Sequence, residues 1–383
     1  MRLSVPNIPP ALLAASIARP TPQIPRAAAV ERISEFLSPG NAVVLTGAGV
    51  SVDSGVKAYR GKDGRYMNPN YQPIFYQQLI EDSPRGAAFR QRYWLRAYIG
   101  YSPVRKTLPN TTHYALAALQ HAAVIPRLIT QNVDGLHHKA IRRVWDEETI
   151  KERMLELHGS IFKVQCRHGH EYPREVFQDW LGAANPRWKT YLDDMERQGI
   201  KPKTNPDGDV VLENVSYDDY VIPNCPDCLS EGRTNNVLKP DFVFFGESIG
   251  QSVKDRSYKF IEEADRLFVV GTTLATYSAF RLLKHAIELR KPVLLLNVGP
   301  TRADGVHGVD KVEIPTGEVM RDVVREVVGG RAQYDPVLRD MLLSGVDAPP
   351  AGYGDESRAP HAAMTSGPVS PASDFREPNE ALS

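Results

Sequence analysis

Cysteine is scarce in this chain: only Cys166, Cys225 and Cys228 occur among 383 residues. An odd, sparse set excludes a secreted disulfide framework and points to a reducing compartment. A charge surplus is missing as well. Lys plus Arg number 46 and Asp plus Glu number 46, for a net charge of +0. The basic excess of a dedicated nucleic-acid binder is therefore absent, and no direct nucleic-acid partner is expected. No apolar run reaches the length of a membrane span. A 42% hydrophobic content over this length supplies a core for one large domain or two smaller ones.

Acidic residues are also absent from the first 29 positions, which carry Arg2, Arg19 and Arg26. That composition resembles a mitochondrial presequence, with two amphipathic turns over Ala11 to Arg19. The competing reading is a disordered Pro-rich tail, because Pro6, Pro9, Pro10, Pro20, Pro22 and Pro25 interrupt any long helix. Residues 1–29 are taken as an N-terminal extension and 346–383, rich in Pro, Ala, Ser and Gly, as a disordered tail.

Between these ends, apolar strands alternate with helices. Val30 to Leu37 has helical spacing and ends at Pro39-Gly40. Ala42 to Thr46 reads as a strand, and Thr111 to Gln120 as a helix capped by Asn110 or Thr111. His113 falls in the first turn of that helix and reads as a surface or packing residue. Pro126 to Thr130, the end of the apolar run from Val124, makes the next strand. From Cys166 to about Asn236 the apolar periodicity weakens while charge and proline rise, which marks an insertion module. The sheet pattern is then expected to resume at 236–239, 242–245, 266–270 and 291–297, with a helix over Tyr277 to Leu289. The expected fold is α/β, a Rossmann-like doubly wound parallel sheet over 30–165 and 237–345, with a smaller zinc-binding module over 166–236.

Chemistry gathers at the expected strand ends. Thr130-Gln131-Asn132-Val133-Asp134 delivers amides and a carboxylate to the carboxyl edge of the sheet, where α/β folds bind ligands. Leu157-His158-Gly159 places a histidine in a short turn nearby. Gly47-Ala48-Gly49 follows a strand, and glycines there let a backbone approach a pyrophosphate. The loop lacks the full GxGxxG spacing, and such turns are often purely structural. It continues through Ser51 and Gly55 to Tyr59-Arg60, a small polar stretch suited to covering a ligand. Gly271-Thr272-Thr273 and Asn297-Val298-Gly299 place further small and polar groups at two other strand ends, and together the four sites would line one crevice.

Cys225-Pro226-Asp227-Cys228 is a CxxC knuckle. A redox dithiol or chance agreement would also give one, but a redox CxxC sits at a helix start after a strand. Here Pro223-Asn224 precede it, so metal is favoured. Tetrahedral zinc needs four ligands. Cys166 supplies a third, and His170, ahead of His168, is the preferred fourth. A structural ion is expected.

These motifs, in this order from about Val30 to Val328, resemble the sirtuins, NAD-dependent protein-lysine deacylases. The resemblance extends to Lys239-Pro240-Asp241-Phe242-Val243-Phe244-Phe245-Gly246-Glu247. Arg90 to Trp94 and Leu296 to Arg302 are similar to the class II branch, whose animal members are mitochondrial. The resemblance implies that Gly47, Ala48, Gly49, Ser51, Gly55, Tyr59 and Arg60 hold and cover NAD. It implies that Gln131, Asn132 and Asp134 bind the nicotinamide and its ribose, with Asn132 and Asp134 joining His158 in catalysis. Gly271, Thr272, Thr273, Asn297 and Gly299 would contact the adenosine half. Val243, Phe244 and Gly246 would clamp an acyl-lysine peptide by strand addition. In the implied reaction the acyl oxygen attacks the ribose C1′ and nicotinamide leaves. His158, as general base, then helps deprotonate a ribose hydroxyl, and the acyl group ends on ADP-ribose.

The sequence departs from the family at three points. Lys57-Ala58 stand where Pro-Asp is usual, Gly169 replaces the fourth zinc cysteine, and Gly-Thr-Thr stands for Gly-Thr-Ser. Tyr93-Trp94-Leu95-Arg96 has the Tyr-x-x-Arg spacing that one branch uses for acidic acyl chains, though an ordinary amphipathic helix with a surface arginine is preferred. Two other functions compete: protein mono-ADP-ribosyl transfer from the same pocket, and a non-catalytic NAD-sensing module. A monomer in the mitochondrial matrix is expected, with cytoplasm or nucleus as the alternative.

Overall fold

The computed structural model describes residues 7–18, 24–60, 74–200, 210, 212 and 215–349. The expected disordered tail from residue 350 onward and Arg2 and Arg19 of the basic leader lie outside the described residues.

Six strands form a parallel sheet: β1 Ala42–Thr46, β2 Arg127–Thr130, β3 Met154–Glu156, β7 Arg266–Val270, β8 Val293–Leu296 and β9 Val309–Val312. Their spatial order is β3-β2-β1-β7-β8-β9. Within this sheet the chain winds outward from β1 in one direction and then from β7 in the other, the strand order of dinucleotide-binding folds. The strands read as unbroken apolar runs because both faces are covered. Val44, Leu128, Phe268 and Leu294 pack on one side with the helices Arg26–Leu37, Thr111–His121 and Thr316–Val328. Val43, Leu45, Ile129 and Val269 pack on the other with Gln251–Glu263 and Tyr277–Glu288.

The first of these helices begins at Arg26 instead of Val30. Arg26 is therefore part of the folded body, where it donates to the Glu318 carbonyl at 2.8 Å and pairs with Asp322. A short helix, Pro10–Ala18, precedes it.

A second, antiparallel sheet has the order β5-β4-β6: β4 Gly159–Cys166, β5 Glu171–Pro173 and β6 Leu238–Phe242. This corrects the expectation that two strands after residue 236 rejoin the main sheet. One strand forms, and it pairs with β4, Cys166 opposite Leu238 and Gly159 opposite Phe242. Its side chains Leu238 and Phe242 bury with Val164, Phe177 and Trp94 in a core separate from those of the parallel sheet. Trp94, on the helix Pro84–Lys106, donates from Nε1 to the Leu238 carbonyl at 3.2 Å. The Arg174 guanidinium lies 5.0 Å over the same indole. Among the described residues no helix is long and apolar enough to cross a membrane.

Candidate functional site

A cavity of about 900 Å³ opens at the carboxyl ends of the parallel strands, where β1 and β7 meet and the winding reverses direction. Open α/β sheets bind ligands at this position. It brings together Gly47, Ala48, Gly49, Tyr59, Arg60, Gln131, Asn132, His158, Val243, Phe244, Gly246, Gly271, Thr272, Thr273 and Asn297. Ser51, Gly55, Asp134 and Gly299 do not line it.

The glycines are set by close approach. Gly49 donates to the Gly271 carbonyl at 2.8 Å. A Cβ on Gly49 would lie 2.7 Å from that oxygen, and one on Gly47 would lie 2.6 Å from Cβ of Thr272. The loops after β1 and β7 thus touch backbone to backbone, and together they leave a cradle of small residues at the cavity wall. After Gly47 the chain turns through a short 3-10 helix, Ala48–Ser54, which Gly55 ends in the left-handed conformation (φ 82°). That is the structural task of Gly55. Gly299 also adopts a positive φ (80°), and its N–H donates to Glu313 at 2.7 Å.

After β2, Gln131 reaches across the sheet. Its amide donates to Thr272 Oγ1 at 2.9 Å and to the Thr46 carbonyl at 3.1 Å, and its Oε1 accepts from Thr276 at 3.1 Å. Asn132 donates to the Gly47 carbonyl at 3.1 Å and to Ser51 Oγ at 3.2 Å. The Ser51 hydroxyl in turn donates a hydrogen bond to Asp134 Oδ2 at 2.8 Å, and Asp134 Oδ1 accepts from the Leu136 N–H at 3.0 Å. Ser51 and Asp134 therefore stand behind the wall and hold Asn132 and the glycine loop in register. Burial raises the Asp134 pKa against these hydrogen bonds.

Two histidines complete this buried layer. His113 Nε2 lies 3.4 Å from Ser51 Oγ, His137 Nε2 lies 2.9 Å from Thr46 Oγ1, and the two rings are 4.8 Å apart. Burial pulls His137 down to about 3 and His113 well below its usual value, so both are neutral packing groups. His113 is fully buried, not on the surface. The sequence motifs assign His137 no role, although it stands only three residues beyond the strand-end polar cluster.

His158 sits between the two sheets. Its carbonyl accepts from the Val243 N–H at 2.9 Å, its Nδ1 lies 3.2 Å from the Gln131 carbonyl and its Nε2 lies 2.7 Å from Ser278 Oγ. Burial lowers its pKa to about 4, so the ring is neutral at neutral pH. Ser278 is a further site residue, and its distance from His158 in sequence hid the contact. The segment Val243 to Gly246 is pinned from below by Lys239. Its Nζ donates to the carbonyls of Pro240 (3.0 Å) and Phe242 (3.1 Å) and pairs with Glu247 at 3.2 Å, while Glu247 accepts from the Phe244 N–H at 2.9 Å.

Tyr93 and Arg96 do not reach the cavity. Tyr93 is buried edge-on against Trp94 and Phe244, and Arg96 donates to the Val210 carbonyl at 2.5 Å. The helix is a packing element at this point.

Cys166, His170, Cys225 and Cys228 converge, with ligand atoms all within 4.8 Å of one another. His170 Nδ1 lies 3.4 to 3.5 Å from each of the three sulfurs, and Cys228 Sγ lies 3.5 Å from Cys166 Sγ. A tetrahedron with Zn–S of about 2.3 Å and Zn–N of about 2.0 Å has edges of about 3.5 to 3.8 Å. The four atoms fit that ion. His170 Nε2 faces Glu231 at 3.4 Å, the carboxylate support that a ligating imidazole usually has. His168 points away, to the Thr234 carbonyl at 3.1 Å, while its N–H donates to Cys166 Sγ at 3.3 Å.

Comparison with known proteins agrees with this geometry. The family model described as the Sir2 family matches residues 47–278. The chain belongs to the Sir2 family. It is similar to an "NAD-dependent protein deacylase SIR4" of Batrachochytrium dendrobatidis, 38% identical over 293 residues, covering 75% of this chain and 90% of that protein. It is also similar to the Bos taurus "NAD-dependent protein lipoamidase sirtuin-4, mitochondrial", 35% identical over 280 residues, covering 73% of this chain and 80% of that protein. Among solved structures, a "Sir2 homolog–NAD complex" aligns with a TM-score of 0.53 at 25% identity, covering 78% of this chain and 93% of that one.

Proposed function

We propose that this sirtuin is an NAD-dependent protein-lysine deacylase that converts acyl-lysine, NAD and water to lysine, nicotinamide and O-acyl-ADP-ribose. The observation that carries the reading is the meeting, in one cavity, of the Gly47–Gly49–Gly271 cradle, the Gln131 and Asn132 amides and the neutral His158 imidazole. The cradle fits a pyrophosphate because side chains there would block it. NAD supplies the glycosidic bond whose cleavage drives acyl transfer.

The chain's own residues position and move the proton. Gln131 is already fixed by Thr46, Thr272 and Thr276, so it bounds the nicotinamide and ribose end. Asn132, backed by Ser51 and Asp134, presents its amide there. His158 accepts a proton at Nε2 from a hydroxyl brought against it, as a neutral imidazole can near neutral pH. The segment Val243 to Gly246 receives the peptide, and Thr273 and Asn297 border the adenosine half. Protein mono-ADP-ribosyl transfer is not favoured, since relatives in both kingdoms of organism cited above carry deacylase or lipoamidase names. Mitochondrial placement is our reading from the acid-free basic leader, with the Bos taurus relative in support.

Nicotinamide release from NAD in the presence and absence of acyl-lysine peptides tests the function. Acyl-dependent release is expected; release that ignores the peptide would contradict it.

A further inference from the structure

Two cations on the His158 side of the cavity make no ion pair among the described residues. Arg281 lies on the helix Tyr277–Glu288, one turn beyond Ser278, and so shares a helix face with the residue that touches His158. Its Nε and Nη2 atoms are buried without a hydrogen-bond partner among the described residues, and its guanidinium stacks 5.3 Å over the Tyr258 ring. Tyr258 and Lys254 are one turn apart on the facing helix Gln251–Glu263, and Lys254 also lines the cavity with no side-chain partner among the described residues. The charge of Arg281 is felt at His158, where it helps to lower the ring's pKa after the larger effect of burial.

Among the described residues no carboxylate pairs with Arg281 or Lys254. Of the described residues, the acidic ones on the cavity wall are Asp53 and Glu247. Glu247 is committed to Lys239 and the Phe244 N–H, and Asp53 belongs to the glycine-loop end, where it faces Asp347 and Glu318. Buried guanidinium nitrogens without hydrogen bonds are costly, which favours a bound anion as the partner of Arg281 Nε and Nη2. Arginine's planar fork suits a carboxylate, and lysine adds a point charge.

We propose that Arg281 and Lys254 form a carboxylate-binding subsite beside His158, so that the chain favours acyl-lysine substrates bearing a negative charge near the reacting amide. The proposal deepens the deacylase reading and rests on it. The carboxylate has two sources: the far end of a dicarboxylic acyl chain, or an acidic side chain flanking the lysine. This subsite is separate from Tyr93 and Arg96, which the fold turns elsewhere.

The test compares kcat/KM for four peptides: acetyl-lysine in a neutral peptide, acetyl-lysine flanked by aspartates, glutaryl-lysine, and its uncharged glutaramide isostere. The parent chain should favour one charged member over its neutral counterpart by about tenfold or more, as a charge-assisted hydrogen bond allows. The glutaryl pair reports the acyl source and the aspartate pair the peptide source. Arg281→Gln and Lys254→Gln should each shrink that ratio, while Arg281→Lys keeps part of it. Should Arg281→Gln fail to fold, as its melting curve would tell, the other two variants carry the comparison. Neutral peptides turned over with no charge preference, or a preference unmoved by the variants, would overturn this proposal alone. No turnover of any peptide would overturn the deacylase reading with it.

Discussion

His158 Nε2 lies 2.7 Å from Ser278 Oγ while Nδ1 lies 3.2 Å from the Gln131 carbonyl oxygen. A carbonyl only accepts, so Nδ1 carries the proton of the neutral ring and Nε2 is the basic nitrogen, facing the cavity with the serine hydroxyl donating to it. His158→Ala should lower acyl-dependent nicotinamide release by about 10²-fold or more, the range of a lost general base. Melting temperature and zinc content should stay at parent values. Retained turnover would contradict the assignment.

The same pair sets a pH dependence. With its pKa held near 4, His158 is available as a base throughout the neutral range. Its acid limb in kcat/KM should therefore fall below about pH 5, not near the pH 6.5 of an ordinary histidine. The hydrogen bond from Ser278 favours the neutral ring, so Ser278→Ala should move this limb to higher pH. A profile unchanged by the substitution would show that the serine does not act on Nε2.

The glycine contact can be probed independently of chemistry. Gly49→Ala puts a methyl 2.7 Å from the Gly271 carbonyl. It should destabilise the fold by about 1–3 kcal/mol, as overpacking does, and weaken NAD binding. Gly250→Ala, at ordinary φ (−55°) with nothing within 4 Å, is the control expected to leave both unchanged. Thermal melting with and without NAD reads both effects.

Much of this site was legible in the sequence because its groups sit at strand ends, where position along the chain predicts position in space. Gly47, Gln131, Asn132, His158 and Thr272 are of this kind, and the structure brings them to one cavity. The alternation of apolar strands and helices likewise gave the parallel sheet. What stayed hidden depends on contacts across the chain. Leu238–Phe242 pairs with β4 over a core it shares with Trp94 and Phe177, and Ser278 meets His158 from 120 residues away. The buried ring pair of His113 and His137 is formed by two helices that no local pattern joins. Arg26 looked like part of a leader because its partners, Glu318 and Asp322, lie near the far end of the fold.

For zinc, the assignments divide between two neighbouring histidines. His170→Ala should release the metal and lower the melting temperature, while His168→Ala should keep it. His170→Cys should also keep it, because a Cys₄ set binds zinc equally well. Metal analysis of the purified variants decides this; zinc lost from His168→Ala but not from His170→Ala would reverse the assignment.

Glu156, the last residue of β3, gives a stability test. Burial, with Asp134 and Asp241 nearby, pushes its pKa up to about 8 from 4.5. The folded chain then holds a proton that the unfolded chain releases, so this group's stabilising effect is full below about pH 4.5 and is lost as pH rises through about 8. Glu156→Gln removes that loss. Its melting temperature relative to the parent should therefore climb between these values and level off above them; a constant offset would mean that Glu156 is ionised in the fold.

The most direct test of the central claim is mass spectrometry of the products formed from NAD and a panel of acyl-lysine peptides. Acyl-dependent nicotinamide release with O-acyl-ADP-ribose as co-product is the predicted result. ADP-ribose attached to protein without deacylation, or no reaction with any acyl group, would contradict it.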